Sequence, residues 1–248
     1  MPESPGGPAP HRRRDVSGTA PVAVIIPALN EEQALGQVLA AIPRAAVREI
    51  LVVDNGSTDR TADVARAAGA TVVREPRRGY GAACLAGLAR LAANPPGIVV
   101  FIDADASDDP AELPAVLAPI RDGRADLVVG SRVRGEHEPG SLTAAQMAGN
   151  RLATFLLRAL FGVRYTDLGP FRAIRWAALE RLRMRDRDYG WTVEMQARAA
   201  RAGLAALEVP VRYRRRHAGR SKVAGTLFGM LGAGVKIPFT ILRVRLGG

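Results

Sequence analysis

Along residues 22–131, runs of consecutive apolar positions alternate with stretches in which apolar residues recur at a helical period. VAVIIPAL (22–29), EILVVD (49–54), TVVREP (71–76), GIVVFID (97–103) and ADLVVGS (125–131) are short and rich in β-branched residues, which predicts strands. Between them, NEEQALGQVLAAIPR (30–44) offers Asn30 as an N-cap with acidic residues in a first turn. GSTDRTADVARAAG (56–69) opens on Ser/Thr/Asp capping chemistry and closes on Gly69. YGAACLAGLARLAA (80–93) and PAELPAVLAPIRDG (110–123) complete the helices of this half. Strands that stay apolar without alternating are buried on both faces. The expected fold class is therefore α/β, Rossmann-like, with a mostly parallel central sheet flanked by helices. Farther on, SLTAAQMAGNRLATFLLRALFGV (141–163) predicts an amphipathic helix with Ser141 near its cap and Leu152, Phe155, Leu156, Ala159 and Leu160 as its apolar stripe.

In open α/β sheets ligands bind beyond the carboxyl ends of the strands. Asp54, Asp103 and Asp105 fall there, and DADASDD (103–109) crowds four carboxylates into seven residues. In extended backbone, residues i and i+2 point the same way, so Asp103 and Asp105 direct two carboxylates at one point while Ala104 faces elsewhere. Such a pair repels unless a cation sits between its members. A hard divalent ion, Mg2+ or Mn2+, carrying substrate phosphates fits an all-oxygen donor set. Asp108 and Asp109 read instead as a solvated turn leading into a helix through Asp-Pro. No Gly-x-Gly-x-x-Gly follows the first strand and no Gly-Lys-Ser/Thr loop occurs, so the usual glycine-rich phosphate cradles are absent.

The chain has 248 residues, 48% of them hydrophobic, enough for one full core with small appendages. Lys and Arg number 35 against 24 Asp and Glu, a net charge of +11 that suits a polyanionic partner: nucleic acid, an anionic membrane or a phosphorylated substrate. Aromatic content of 5% is low for base stacking and argues against a nucleic-acid-binding module. From Glu208 onward there are nine basic residues and one acidic, so the positive charge concentrates at the C-terminal end. The lone Cys84 forms no internal disulfide, reads as buried filler, and is compatible with a reducing cytosol.

Residues 1–20 are rich in Pro and Gly with no apolar run, which predicts a disordered tail. Arg12 to Arg14 are not followed by the apolar stretch of a secretion signal. The expected division is that tail, a folded domain at 21–222, and an apolar, basic segment at 223–248. Within the last, TLFGMLGAGVKIPFTIL (226–242) contains Lys236 and Pro238 and falls short of the roughly 20 residues a spanning helix needs, leaving a helix lying in a membrane surface. Arg151 and Arg158, seven apart on one helix face, with the basic C-terminal segment, would seat such a protein on anionic lipid.

IIPALNEE after the first strand, VVDNGSTDRT after the second and Asp103-Ala104-Asp105 after the fourth occur in an order and spacing that resembles the family 2 glycosyltransferases of GT-A fold. Downstream, VVGSRVRG, TDLGPFRAI, YGWTVEMQ and YRRRHAGRSK resemble the dolichyl- or polyprenyl-phosphate mannose or glucose synthase branch, and the resemblance covers residues 20–225. It implies that Pro27, Ala28, Asn30 and Glu31 line a nucleotide pocket and that Asp54 reads the base or ribose. Asp103 and Asp105, with Ala104 between them, would hold a metal on the diphosphate. Gly56 allows close backbone approach, and Ser57, like Asn30, serves either the pocket or a helix cap. Ser107 stands where branch members often have Gln, and Leu168 opens the segment Leu168-Gly169-Pro170-Phe171-Arg172 where Ser or Thr is usual.

Ser131 and Arg132, then Arg172, Arg212, Arg220 and Lys222, are the candidates to grip phosphates of donor and acceptor, arginine through a planar fork and lysine as a point charge. HAGRSK (217–222) reads as a loop able to close over the donor, with His217 at its surface. The expected reaction is inverting transfer of mannose or glucose from a GDP- or UDP-linked donor to a polyprenyl phosphate at the cytoplasmic face of a membrane. Asp105 and Arg132 do the electrostatic work in that scheme. A phosphate acceptor is already anionic and needs no strong base. The alternative is a soluble family 2 enzyme acting on a saccharide or small-metabolite hydroxyl; there a carboxylate must take the proton, and Glu194 is the candidate.

Overall fold

The computed structural model describes residues 20–217 and 227–247. The predicted tail, and Arg220 and Lys222 with it, lie outside the described residues. Seven strands are β1 Val22–Ala28, β2 Glu49–Asp54, β3 Thr71–Arg74, β4 Ile98–Phe101, β5 Leu127–Ser131, β6 Arg172–Arg175 and β7 Ala206–Pro210. The helices are α1 Leu35–Ala41, α2 Thr61–Ala67, α3 Tyr80–Leu91, α4 Leu113–Arg121, α5 Ala144–Phe161, α6 Trp176–Leu182, α7 Trp191–Arg201 and α8 Leu227–Arg245. The strands form one sheet in the order β3-β2-β1-β4-β6-β5-β7. All pairings are parallel except those of β6, which runs antiparallel between β4 and β5.

The unbroken apolar runs are explained by helices on both faces. Ala23 and Ile25 of β1 pack with Val99, Phe101 and Trp191 on one face, and Val22, Val24 and Ile26 with Leu35, Leu39 and Val116 on the other. Trp191 is fully buried, edge-on to Phe101 with ring centroids 5.8 Å apart. Its removal costs about 3–5 kcal/mol by analogy with other large core truncations. Gly87 lets α3 close on β1, since a Cβ there would stand 2.9 Å from Ile25 Cγ2. The chain lays down β1, β2 and β3 outward and then returns to place β4 on the opposite side of β1. That reversal opens a crevice at the carboxyl ends of β1 and β4, which positions the site.

Three local expectations are corrected. Asn30 is no N-cap: α1 begins at Leu35, and Asn30 has φ of 52°, in the left-handed region that asparagine tolerates better than most residues. The cap of α5 is Thr143, in a reciprocal capping box with Gln146, and not Ser141. The buried face of α5 is Ala153 and Leu157, whereas Leu152 and Phe155 are 49% and 65% exposed. The apolar C-terminal segment forms α8, which packs on α5 and α7. Among the described residues no helix is long and apolar enough to cross a membrane.

Candidate active site

The loops after β1, β2 and β3 are stitched into one wall by short polar side chains. Asn30 N–H donates to Ser57 Oγ at 3.0 Å, Asn30 Oδ1 accepts from Thr58 N–H at 2.8 Å, and Glu31 N–H donates to Thr61 Oγ1 at 2.8 Å. Asp54 Oδ1 accepts from Ser57 N–H at 2.9 Å, closing a turn in which Gly56 takes φ of 83°. Asn55 spans to the third loop, donating to the carbonyls of Glu75 and Arg77 and accepting from Gly79 N–H. Ser57 therefore fixes the β1 loop and caps no helix.

A cavity of about 850 Å3 opens along this wall. Of the residues proposed from sequence, Pro27, Ala28, Asn30, Glu31, Asp103, Ala104, Asp105 and Arg132 line it, brought together from loops up to 105 positions apart (27 to 132). Asn55, Gly79 and Tyr80 extend its inner end, and Tyr189 and Thr192 another side. Toward the outside it runs between α5, at Gln146, Gly149 and Leu152, and α8, at Gly234, Ile237 and Pro238. Asp54, Gly56 and Ser57 stand behind this lining as its supports.

The carboxylates after β4 are strongly perturbed. Burial, and next the charge of Asp105, push the Asp103 carboxyl up to about 7 against the lowering effect of the nearby Tyr80 hydroxyl, and its Oδ1 is buried with no well-aligned hydrogen bond among the described residues. Asp105 Oδ1 accepts from Ser107 N–H at 2.9 Å, and its Oδ2 meets Arg216 Nη2 at 2.7 Å. Asp108 is not in a solvated turn: it is 2% exposed, neither carboxylate oxygen has a donor among the described residues, and burial and the charge of Asp103 raise its pKa well above the usual range. Asp109 does begin a helical turn, accepting from Ala111 N–H at 3.2 Å, but it is buried and ion-paired to Arg214 at 2.7 Å.

Arg132 faces the cavity with its fork held by Asp167: Nε and Nη2 donate to the two carboxylate oxygens at 2.8 Å each, and its guanidinium carbon lies 5.0 Å from the Tyr213 ring centroid. This bidentate pair fixes the arginine's orientation.

Other arginines are used elsewhere. Arg172 is fully buried and donates to the carbonyls of Leu168, Gly169 and Thr192, clamping the segment before β6 to α7, so it holds no phosphate. Arg212 is exposed, 3.7 Å from Glu136 and outside the cavity lining. Ser131 is buried, its hydroxyl 2.7 Å from that of Thr166.

Glu194 is also corrected. It is fully buried, accepts from the backbone N–H groups of Arg185 and Asp186 at 3.0 and 2.7 Å, and meets Arg198 and Arg243 at 2.9 and 3.3 Å. Four donors occupy its lone pairs, so it is no general base in this arrangement. Asp167 and Arg216 were not singled out from the sequence. Asp167 lies inside TDLGPFRAI, where a buried partner for Arg132 was the signal to seek; Arg216 lies inside YRRRHAGRSK as one of three successive arginines that nothing local tells apart.

The sequence pattern of glycosyl transferase family 2 matches residues 23–183, the part that builds this crevice. An uncharacterised glycosyltransferase of Mycobacterium tuberculosis is 45% identical over 212 residues, 85% of this chain and 93% of that one. The undecaprenyl-phosphate mannosyltransferase of Micrococcus luteus is 32% identical over 246 residues, 91% of this chain and 99% of that one. Glucosyl-3-phosphoglycerate synthase of Mycobacterium tuberculosis, crystallised with Mn2+, UDP and glucosyl-3-phosphoglycerate, is similar at a TM-score of 0.73 and 27% identity, over 92% of this chain and 80% of that one. With the pattern spanning the strand-end loops, the carboxylate turn and β6, the chain is a glycosyltransferase and belongs to glycosyl transferase family 2.

Proposed function

We propose that the protein transfers a mannosyl or glucosyl group, with inversion, from a GDP- or UDP-linked sugar to a polyprenyl phosphate. The observation that carries this reading is the course of the cavity, which leads from the carboxylate turn out between α5 and α8 to an apolar rim. Leu152 of that lining is exposed, and Phe155 on α5 and Val235, Phe239 and Leu242 on α8 are exposed on the same two helices, as are Arg151, Arg158 and Arg245. An isoprenoid chain would leave the cavity over that rim, and the arginines would contribute about 1 kcal/mol each toward an anionic bilayer at the cytoplasmic face. The name of the Micrococcus relative supports the same acceptor class.

A divalent cation, Mg2+ or Mn2+, fits the residues present. Asp103 and Asp105 supply only oxygen, and the buried Asp103 Oδ1, with no well-aligned hydrogen bond among the described residues, is an atom that a cation would satisfy. When bound, the ion supplies charge stabilisation to the departing nucleoside diphosphate. The β1 and β2 loops orient the nucleotide, with Asp54 and Asn55 holding those loops in shape. Arg132, pre-oriented by Asp167, receives the acceptor phosphate; Arg220 and Lys222 would meet the donor phosphates. No side chain need remove a proton from an anionic acceptor, in keeping with the full occupancy of Glu194.

The second reading is a small-metabolite hydroxyl acceptor, favoured by the likeness to glucosyl-3-phosphoglycerate synthase. Purified protein, given GDP- and UDP-linked mannose and glucose with Mn2+, Mg2+ or chelator, should consume one donor when undecaprenyl phosphate is supplied. Transfer to 3-phosphoglycerate or a free sugar, with none to the lipid, would establish the second reading instead. Under the first, Arg132→Ala should lower kcat/KM for the lipid phosphate by about 10- to 150-fold, as expected for losing a charged hydrogen bond of about 1.5–3 kcal/mol.

A further inference from the structure

Arg216 crosses the mouth of the donor end. Its Nη1 lies 2.7 Å from Glu31 Oε1 and its Nη2 2.7 Å from Asp105 Oδ2, so a single guanidinium bridges the β1 loop and the carboxylate turn. We infer that Arg216 is the pocket's own counter-cation when no donor is bound, and that a divalent cation must displace it from Asp105.

The backbone of residues 213–217 delivers this side chain along the carboxylate turn. Tyr213 forms a bridge with Asp108, Arg214 N–H donates to Ser107 O at 2.7 Å, and His217 N–H donates to Asp105 O at 3.2 Å. Arg214 reinforces the attachment through Asp109. The guanidinium is partly desolvated, with 23% of the side chain exposed against 9% and 6% for its two carboxylates. Screening by solvent is therefore weak, and the pairs matter more than surface ion pairs do. A divalent ion on the Asp105 carboxylate would stand within a few ångströms of a guanidinium that Asp105 also holds. Two cations at one carboxylate repel, so binding one weakens the other. This step rests on the proposed metal and donor reading of that same site.

The test is Mn2+ binding read by electron paramagnetic resonance, with and without UDP or GDP, for the wild type, Arg216→Ala, Arg216→Gln and, as control, Asp105→Asn. Without nucleotide, both Arg216 variants should bind Mn2+ about tenfold or more tightly than the wild type, since a competing charged contact is gone. Mn2+ should also raise their melting temperatures more than it raises that of the wild type. The glutamine variant retains polar bulk and guards against a folding defect in the alanine variant. Affinities no tighter than wild type in both folded variants overturn the inference. Failure of the wild type to bind Mn2+ even with nucleotide defeats the metal reading itself.

Discussion

Asp105→Asn should reduce hexosyl transfer by about a thousandfold, the scale seen when an enzyme loses a group that stabilises developing charge, while the fold persists. The change keeps the shape of the side chain, and the amide oxygen can still accept from Ser107 N–H, as Asp105 Oδ1 does at 2.9 Å. What disappears is the negative charge that Arg216 now meets and that a divalent ion would use. Product formation from a labelled sugar nucleotide measures the loss, and circular dichroism with a thermal melt checks the fold. Turnover retained in the variant, or in the wild type under chelator, would remove the metal from the mechanism.

The sheet was legible because buried parallel strands announce themselves as unbroken apolar runs, and the strand-end loops because Asp103 and Asp105 interrupt one such run. β6 was not legible. RAIR has two arginines in four residues, and it becomes a strand because β4 and β5 present their edges to it on either side. The cost of burying Arg172 is met by backbone carbonyls that no local pattern reveals. In α5 the helical period tells which residues share a face but not which face is covered; α7 and α8 arrive from far along the chain and cover Ala153 and Leu157. Arg214, Arg215 and Arg216 are identical in sequence terms. Only the path of the backbone sends the first to Asp109, the second to Pro139 O and the third to Asp105 and Glu31.

Glu194→Gln should cost stability and not chemistry, because Glu194 is a fully buried carboxylate whose oxygens are already taken by four donors. In the structure Glu194 ties α7 to α8 through Arg243 and fixes the loop before α7 through the N–H groups of Arg185 and Asp186. Breaking a buried charge pair from one side typically costs about 3–5 kcal/mol, since the partner charges remain buried. For a chain of this size that is a fall of roughly 10 °C in melting temperature. The same loop holds Asp186 and Asp188 against Lys236 of α8, at 3.5 and 2.7 Å, and carries Tyr189 into the cavity lining. Loosening it should therefore raise KM for the acceptor more than it lowers kcat at a temperature where the variant is folded. If Glu194 instead activated a hydroxyl, kcat should drop by about 10² to 10⁴ with little change in melting temperature, because its present donors would then be dispensable. Calorimetry beside steady-state kinetics on this one variant distinguishes a positioning carboxylate from a catalytic one.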